Sequence, residues 1–410
     1  LEQLIILGNG FDLACNLKSK YEDFYRYIFD KEYKESFIDF KSHINQYQKF
    51  SSDLSIFSSL VDSMNVWEII FYYYENVSLN TWTDVEQTIS NHLEGLYYAC
   101  VYRDDSYGRW HTYNLAHPDF SETTKRKYMY YEPIMKLLYH KTNENSYSLS
   151  DEDFLSEEEQ IKSRWMSYKR ALLNDLKEFE SKFAEYLKHE ADAMVYRKSV
   201  NKLFTKVIKG YDAEGSIEYR PEGNLTTNVL SFNYTEVETF DKDEKIPLNE
   251  YRNVHGKLSN QTEGTIFGID LHDLKNTKTT DGNEQVKLFL EFTKTFRTLK
   301  MANTFGVKKL YSKRTKQIKF YGHGLGEADY SYFLSIFDSV DLYSGDTTLI
   351  FFYNPEIEDE EEKQFNRVSN LILKYAETLK NENHGDNLLH KLILENRVKI
   401  LPLEFNPELL

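Results

Sequence analysis

The sequence predicts an α/β fold: a parallel sheet covered by helices on both faces and interrupted by a large, mainly helical insertion. Three observations carry that prediction. Strand-like runs, most of them rich in apolar, β-branched or aromatic residues, occur at 3–7, 228–232, 252–255, 264–269, 317–321, 348–353 and 398–402. Helix-period segments separate most of them, the alternation expected of a parallel sheet. From about residue 30 to 220 the strand signal vanishes and helix-period sets take over. The predicted division is therefore 1–30 and 221–410 for the α/β domain, with 31–220 as the insertion.

The first element, Leu4-Ile5-Ile6-Leu7, suits a strand buried on both faces. It ends in Gly8-Asn9-Gly10-Phe11-Asp12, and Asp12-Leu13-Ala14 opens a helix expected to reach about Phe29, with an interruption at 18–20. Strand, glycine turn and helix are how a doubly wound sheet begins a nucleotide site. Glycines let backbone approach a phosphate, and the helix N-terminus offers N–H groups and a partial positive charge. An ordinary tight turn gives the same pattern, and the third glycine of the dinucleotide fingerprint is missing.

Within the insertion, Val66, Ile69, Ile70 and Tyr73 form an apolar helix stripe, as do Val85, Ile89, Leu93 and Leu96, and Leu172, Leu176, Phe179 and Phe183. Their plain use is core. Residues 103–125 and 141–160 read as loops. Trp82-Thr83-Asp84-Val85-Glu86 opens a helix, where Asp84 and Glu86 complement the helix dipole before they suggest a carboxylate pair.

Strands then resume. Asn233 follows 228–232, where an open α/β sheet binds ligands, although a turn or helix cap uses Asn equally well. His255 closes Arg252-Asn253-Val254-His255-Gly256, which leaves an imidazole at the mouth of the sheet or in a solvated loop. Asp270, His272 and Asp273 read as a polar loop. Lys294, Arg297, Lys300, Lys308, Lys309, Lys313 and Arg314 make 285–315 basic, as solvated helix surface or as a local positive face. Residues 317–321 lead into Gly322-His323-Gly324-Leu325-Gly326, with Asp329 in the first turn of the next helix. Both glycine turns, Asn233 and His255 thus follow strand carboxyl ends, where one crevice would collect them.

Composition narrows the function. The chain has 410 residues, 40% hydrophobic and 28% charged, an ordinary globular balance. Its net charge of −16 lowers the expectation of nucleic-acid binding, since phosphate-tracking proteins present a basic face. Cys15 and Cys100 cannot make a disulfide framework or a four-cysteine zinc site, and they fit a reducing, cytoplasmic setting. No apolar run is long enough to span a membrane, and no signal peptide is legible.

Gly8-Asn9-Gly10-Phe11-Asp12-Leu13-Ala14, Trp82-x-x-x-Glu86, Phe232-Asn233-Tyr234-Thr235, His255-Gly256, Phe267-Gly268-Ile269-Asp270 and Gly322-His323-Gly324-Leu325-Gly326-x-x-Asp329 resemble, in order, the AbiH family of phage abortive-infection proteins. Gly324 departs from the serine expected in many members. The layout is more distantly similar to sirtuin-like NAD-binding proteins, which implies a Rossmann-like sheet. By that likeness Gly8, Asn9, Gly10, Phe11 and Asp12 would serve one dinucleotide turn, and Gly322, His323, Gly324 and Asp329 the other. Asn233 would orient the ribose or a water, and His255 would be the base. The sirtuin-type Asn-x-Asp is here Asn233-Tyr234-Thr235, and the zinc cysteines of protein deacylases are missing, which disfavours peptide deacylation.

The resemblance implies a phage-defence effector that binds NAD, or a related nucleotide, and hydrolyses it without a metal. It also implies a phage-derived trigger, and it leaves self-association open. Two other readings stand beside it. One is a metal-dependent nuclease or nucleotide hydrolase built from Asp12, Asp84, Glu86, Asp270 and Asp329. The other is a non-catalytic nucleotide sensor that reports through the insertion.

Overall fold

The computed structural model describes residues 2–28, 65–74, 82–101, 131–143, 157–210, 226–237, 248–258, 264–269, 287–301, 309–326, 329–379 and 384–407. Six strands, β1 Glu2–Leu7, β2 Thr226–Ser231, β3 Leu248–Asn253, β4 Thr315–Tyr321, β5 Thr348–Tyr353 and β6 Val398–Pro402, form one parallel sheet in the order β3-β2-β1-β4-β5-β6. The described helices are α1 Asn9–Ala14, α2 Tyr21–Arg26, α3 Val66–Tyr74, α4 Trp82–Val101, α5 Glu132–Asn143, α6 Glu157–Ala191, α7 Met194–Lys209, α8 Lys294–Met301, α9 Tyr330–Val340, α10 Glu360–Ala376 and α11 His384–Leu394. The fold is α/β, as the sequence predicts.

The chain divides into two compact units, 1–19 with 184–265 and 298–410, and 20–183 with 266–297. The sequence placed the divisions at 30/31 and 220/221 instead. The difference has a physical reason in α7, which is polar enough on one side to read as part of the insertion. It nevertheless lies against the sheet, where Lys319 of β4 donates to the Ile208 carbonyl. Gly210 closes α7 in the left-handed conformation (φ 64°), where an added Cβ would come into van der Waals contact with Lys319 and Phe352.

In the sheet unit, β1 is central and bonded on both sides, with Glu2–Leu7 registered against Thr226–Ser231 of β2 and against Thr315–Tyr321 of β4. Leu4, Ile5, Ile6 and Leu7 are each 0% exposed, which is why the strand reads as an unbroken apolar run. Each such side chain is worth about 1.5–3 kcal/mol on burial. Leu4, Ile6, Ile318, Phe320, Leu349 and Phe351 face a core shared with α9, α10 and α11. On the opposite side Phe11 sets its ring edge-on to Phe204 of α7 and to Tyr321.

The second unit is helical around Trp67, Phe71, Phe179 and Phe183. Trp67 donates its indole N–H to the Leu172 carbonyl (2.9 Å), and Phe71 stacks on Phe179 at 5.2 Å. Residues 264–269, expected as a strand, carry one isolated bridge, Ile269 to Thr293. Side chains occupy the backbone there. Glu180 accepts the Phe267 N–H at 2.7 Å, and Arg297 donates to the Phe267 carbonyl at 2.7 Å while pairing with Glu180. The desolvation of Glu180 outweighs the attraction of Arg297 and leaves its pKa raised.

Candidate functional site at the carboxyl edge of the sheet

The order of the strands reverses between β1 and β4, and the predicted residues of the sheet unit gather at the carboxyl edge there. Helix α1 starts at Asn9, with Gly8 as its extended cap residue, so Gly10 and Phe11 lie inside the helix and not before it. The two glycine turns, expected each to hold part of a ligand, hold each other. Gly8 N–H donates to the Tyr321 carbonyl (3.0 Å), Gly10 N–H to the Gly322 carbonyl (2.8 Å), and Phe11 N–H to the Gly8 carbonyl (2.8 Å). A Cβ on Gly10 would stand 2.7 Å from Gly322 Cα. One on Gly322, whose φ is 69°, would stand 2.2 Å from the Phe11 nitrogen. These glycines are required by turn-to-turn contact. Gly324 is different, with nothing within 4 Å of a Cβ.

Asn9 accepts from the Ser19 hydroxyl at 2.6 Å, which ties α1 to the turn that follows it. Asp12 is 2% exposed. Its Oδ1 accepts from Tyr196 Oη (2.8 Å), and Thr235 Oγ1 reaches both oxygens (3.0 and 2.8 Å). Burial pushes its carboxyl up to about 6, against the hydrogen bonds from Tyr196, Thr235 and Asn233, which act to lower it.

Asn233 and Thr235 sit on the turn leaving β2, and Asn253, the last residue of β3, staples that turn. Asn253 Nδ2 donates to the Asn233 carbonyl (2.8 Å) and to the Thr235 carbonyl (2.9 Å). Two residues on, His255 is 6% exposed, and its Nε2 lies 3.8 Å from Asp329 Oδ1. The other oxygen, Asp329 Oδ2, lies 3.4 Å from His323 Nε2. Asp329 is the residue preceding α9, and no side-chain cap bond is made there. Its carboxylate serves the two imidazoles instead of the helix end.

His323 has a defined tautomer. Leu325 N–H donates to Nδ1 at 2.9 Å, so Nδ1 is the acceptor and the ring proton sits on Nε2, towards Asp329. Phe232 is the apolar centre of the group, edge-on to His323 at 4.5 Å, to His255 at 5.7 Å and to Tyr332 at 5.6 Å.

Two clefts open beside this cluster. One of about 610 Å³ is lined by Gly322, His323, Gly324, Asn354, Gln364 and Arg367. The other, of about 460 Å³, is lined by Lys188, Tyr196, Lys198, Thr235, Glu236 and Leu258. They meet the buried groups through His323 on one side and through Tyr196 and Thr235 on the other.

The site therefore brings together Asn233, His255, His323, Asp329 and Asp12 with both glycine turns. Thr235, Tyr196, Asn253 and Phe232 belong to it as well. Phe232 and Thr235 flank Asn233, and Asn253 precedes His255, so proximity in sequence could have flagged all three. Tyr196 sits on α7 with no local signal.

The carboxylates of the metal-dependent reading do not gather among the described residues. Asp12 is held by the hydroxyls of Tyr196 and Thr235, Asp329 faces two imidazoles, and Glu86 pairs with Lys294 at 2.6 Å in the helical unit. Asp270, His272, Asp273 and Lys308 lie outside the described residues, as does the side chain of Asp84. No group of three or more His, Cys, Asp or Glu placed to hold a metal occurs among the described residues. The basic stretch is partly paired: Lys294 and Arg297 bind Glu86 and Glu180, Lys313 binds Asp341, and Arg314 binds Glu2. No described helix is long and apolar enough to cross a membrane.

Residues 4–353 match the model of one protein family, Bacteriophage abortive infection AbiH. No curated protein matches the chain, and no solved structure does.

Proposed function

Because the chain belongs to the AbiH family, and its role is accordingly in phage abortive infection, we propose that it is an effector that binds NAD, or a related nucleotide, at the carboxyl edge of the sheet and hydrolyses it. The observation that carries this reading is His255 set 3.8 Å from Asp329 at the carboxyl edge of a sheet whose strand order reverses between β1 and β4, with Phe232, the neighbour of Asn233, edge-on to His255. Doubly wound sheets bind their ligands at that point, and the order β3-β2-β1-β4-β5-β6 is the one used by Rossmann-like dinucleotide folds.

The fit to a dinucleotide differs between the two turns. The amides of Gly8, Gly10 and Phe11 are already bonded within the protein, so a pyrophosphate gains little there. Gly324 borders the larger cleft and has room beside it. The ligand's phosphates therefore belong on the second turn, and the first turn acts as its support.

The chemistry is a hydrolysis. The bond between C1′ of the ribose and the nicotinamide nitrogen breaks, and its electron pair neutralises the pyridinium. A water oxygen bonds C1′, and its proton goes to His255. Asp329 stands where it would stabilise the imidazolium that results. Asn233 carries both a donor and an acceptor for orienting that water or the ribose. None of these steps calls for a metal. The effector acts in the cytoplasm on this reading, and a phage-derived component switches it on.

Incubating the purified chain with NAD and chelator, and measuring free nicotinamide, tests the proposal. Release should persist with chelator, and His255→Ala should lower kcat by about 10²–10⁴-fold. NAD bound without release, even with infected-cell extract added, would make the chain a sensor. Release that needs a divalent ion would return the metal-dependent reading.

A further inference from the structure

Helix α10 buries one stripe, made of Gln364, Val368, Leu371, Ile372 and Tyr375. From Val368 onwards the stripe packs into the core of the sheet unit. Its first member is an amide instead. Gln364 is 4% exposed and borders the larger cleft, together with Arg367 one turn on and with Asn354, the residue that follows β5. A polar side chain buried to this degree is kept for the bonds it makes.

Those bonds are one-sided. An arginine only donates, so Arg367 Nη1 marks the oxygen of the Gln364 amide, which accepts at 3.2 Å. The same Nη1 donates to Glu360 Oε1 at 2.6 Å. Asn354 Oδ1 accepts from the Glu356 N–H at 3.0 Å. Both amide oxygens are thus engaged inside the protein. Gln364 Nε2, Asn354 Nδ2, and Nε and Nη2 of Arg367 make no hydrogen bond among the described residues. The Gly324 N–H, on the same cleft, makes none there either. The cleft is therefore offered donors, from the turn after β4, the end of β5 and the first turns of α10.

We propose that Gln364, Arg367 and Asn354 form a phosphate-binding wall of the larger cleft. Phosphoryl oxygens only accept, and a guanidinium fork matches them in shape as well as charge. The identity of the ligand rests on the nucleotide reading, in which the bound group is the pyrophosphate of NAD, shared between α10 and the Gly324 turn. Glu356 and Glu360 border the same cleft, so net positive charge is not what holds the anion. Glu360 and Gln364 fix Nη1 of the guanidinium, and the remaining donors bind by direction. A bare cation in place of Arg367 cannot do this, because it cannot bond Glu360, Gln364 and the ligand through one rigid plane.

Isothermal titration calorimetry of the full chain tests the wall, with inorganic pyrophosphate and with carbocyclic NAD, whose nicotinamide bond is not cleaved. Arg367→Met should weaken both ligands by about 10–100-fold, and Gln364→Met by about 3–10-fold. Arg367→Lys, which keeps the charge and loses the fork, should weaken them nearly as much as Arg367→Met. Asn366→Ala, on the exposed side of α10, should change neither. The Arg367 side chain is 33% exposed, so its replacement leaves the core intact, and unfolding curves check that each variant is folded. Unchanged affinity in Arg367→Met and Gln364→Met, or full affinity in Arg367→Lys, would overturn the inference. The two ligands separate it from the reading beneath it. Carbocyclic NAD bound equally by wild type and variants sinks the wall and leaves the nucleotide reading. Pyrophosphate bound by the wild type and weakened in the variants, with no binding of carbocyclic NAD, upholds the wall and sinks the nucleotide reading. Binding of neither ligand sinks both.

Discussion

Single atoms decide the edge of this sheet, and the glycines show it best. Gly322→Ala would drive a Cβ into the Phe11 nitrogen from a left-handed backbone, and Gly10→Ala would drive one into Gly322. Each should cost about 3 kcal/mol or more in denaturant unfolding. Gly324→Ala meets no atom within 4 Å and should leave stability within about 0.5 kcal/mol. On the proposed nucleotide reading, its effect should appear in NAD binding alone. Asp12 adds a pH term of definite sign. Its folded pKa, about 6, exceeds the ordinary carboxyl value of 3.8, so between those values the native state holds the proton more tightly and stability falls as pH rises. Across that window the loss is about 3 kcal/mol, and comparison with Asp12→Asn in unfolding curves at pH 4 and 7 should reveal it. The sequence showed which glycines matter but not why. Gly-x-Gly reads as a phosphate cradle until the partner turn, more than 300 positions away, is seen filling the space.

Elements differ in how openly their sequences declare them. Strands β1 and β5 are apolar along most of their length because both faces are covered, and β4 is buried although it carries Gln317 and Lys319; all three were legible. Strand β3, Leu-Asn-Glu-Tyr-Arg-Asn at the sheet's edge, is half-exposed along most of its length and was placed late. The run 264–269 has strand composition, yet Glu180 and Arg297 take its backbone, a fact invisible to local pattern. Arg297→Met should therefore cost about 3–5 kcal/mol by stranding Glu180, measured by chemical denaturation. Lys319 is a similar case in β4. It is 1% exposed, and burial lowers its pKa to about 8. Between pH 8 and 10.5 the unfolded chain holds a proton that the native chain lacks, so stability should rise with pH there. Relative to Lys319→Met the gain should approach about 3 kcal/mol.

The whole molecule is discontinuous along its chain, since the sheet unit takes residues 1–19, 184–265 and 298–410. A chain starting at residue 20 lacks the strand that joins β2 to β4. It should lose the parallel sheet, seen as lost amide protection in hydrogen exchange across β2 and β4, while 384–394 and its neighbours retain at most helical signal. The same arrangement sets a timetable during synthesis. β1 leaves the ribosome first, but its nearest partner begins at Thr226 and its other partner at Thr315. At about 5–20 residues per second, its four apolar side chains wait on the order of 10–45 s for β2, and longer for β4. Nascent and prematurely terminated chains thus carry the first glycine turn without the second and lack His323 and Asp329. The paired glycine turns and the two imidazoles facing Asp329 therefore cannot assemble until synthesis has passed Asp329.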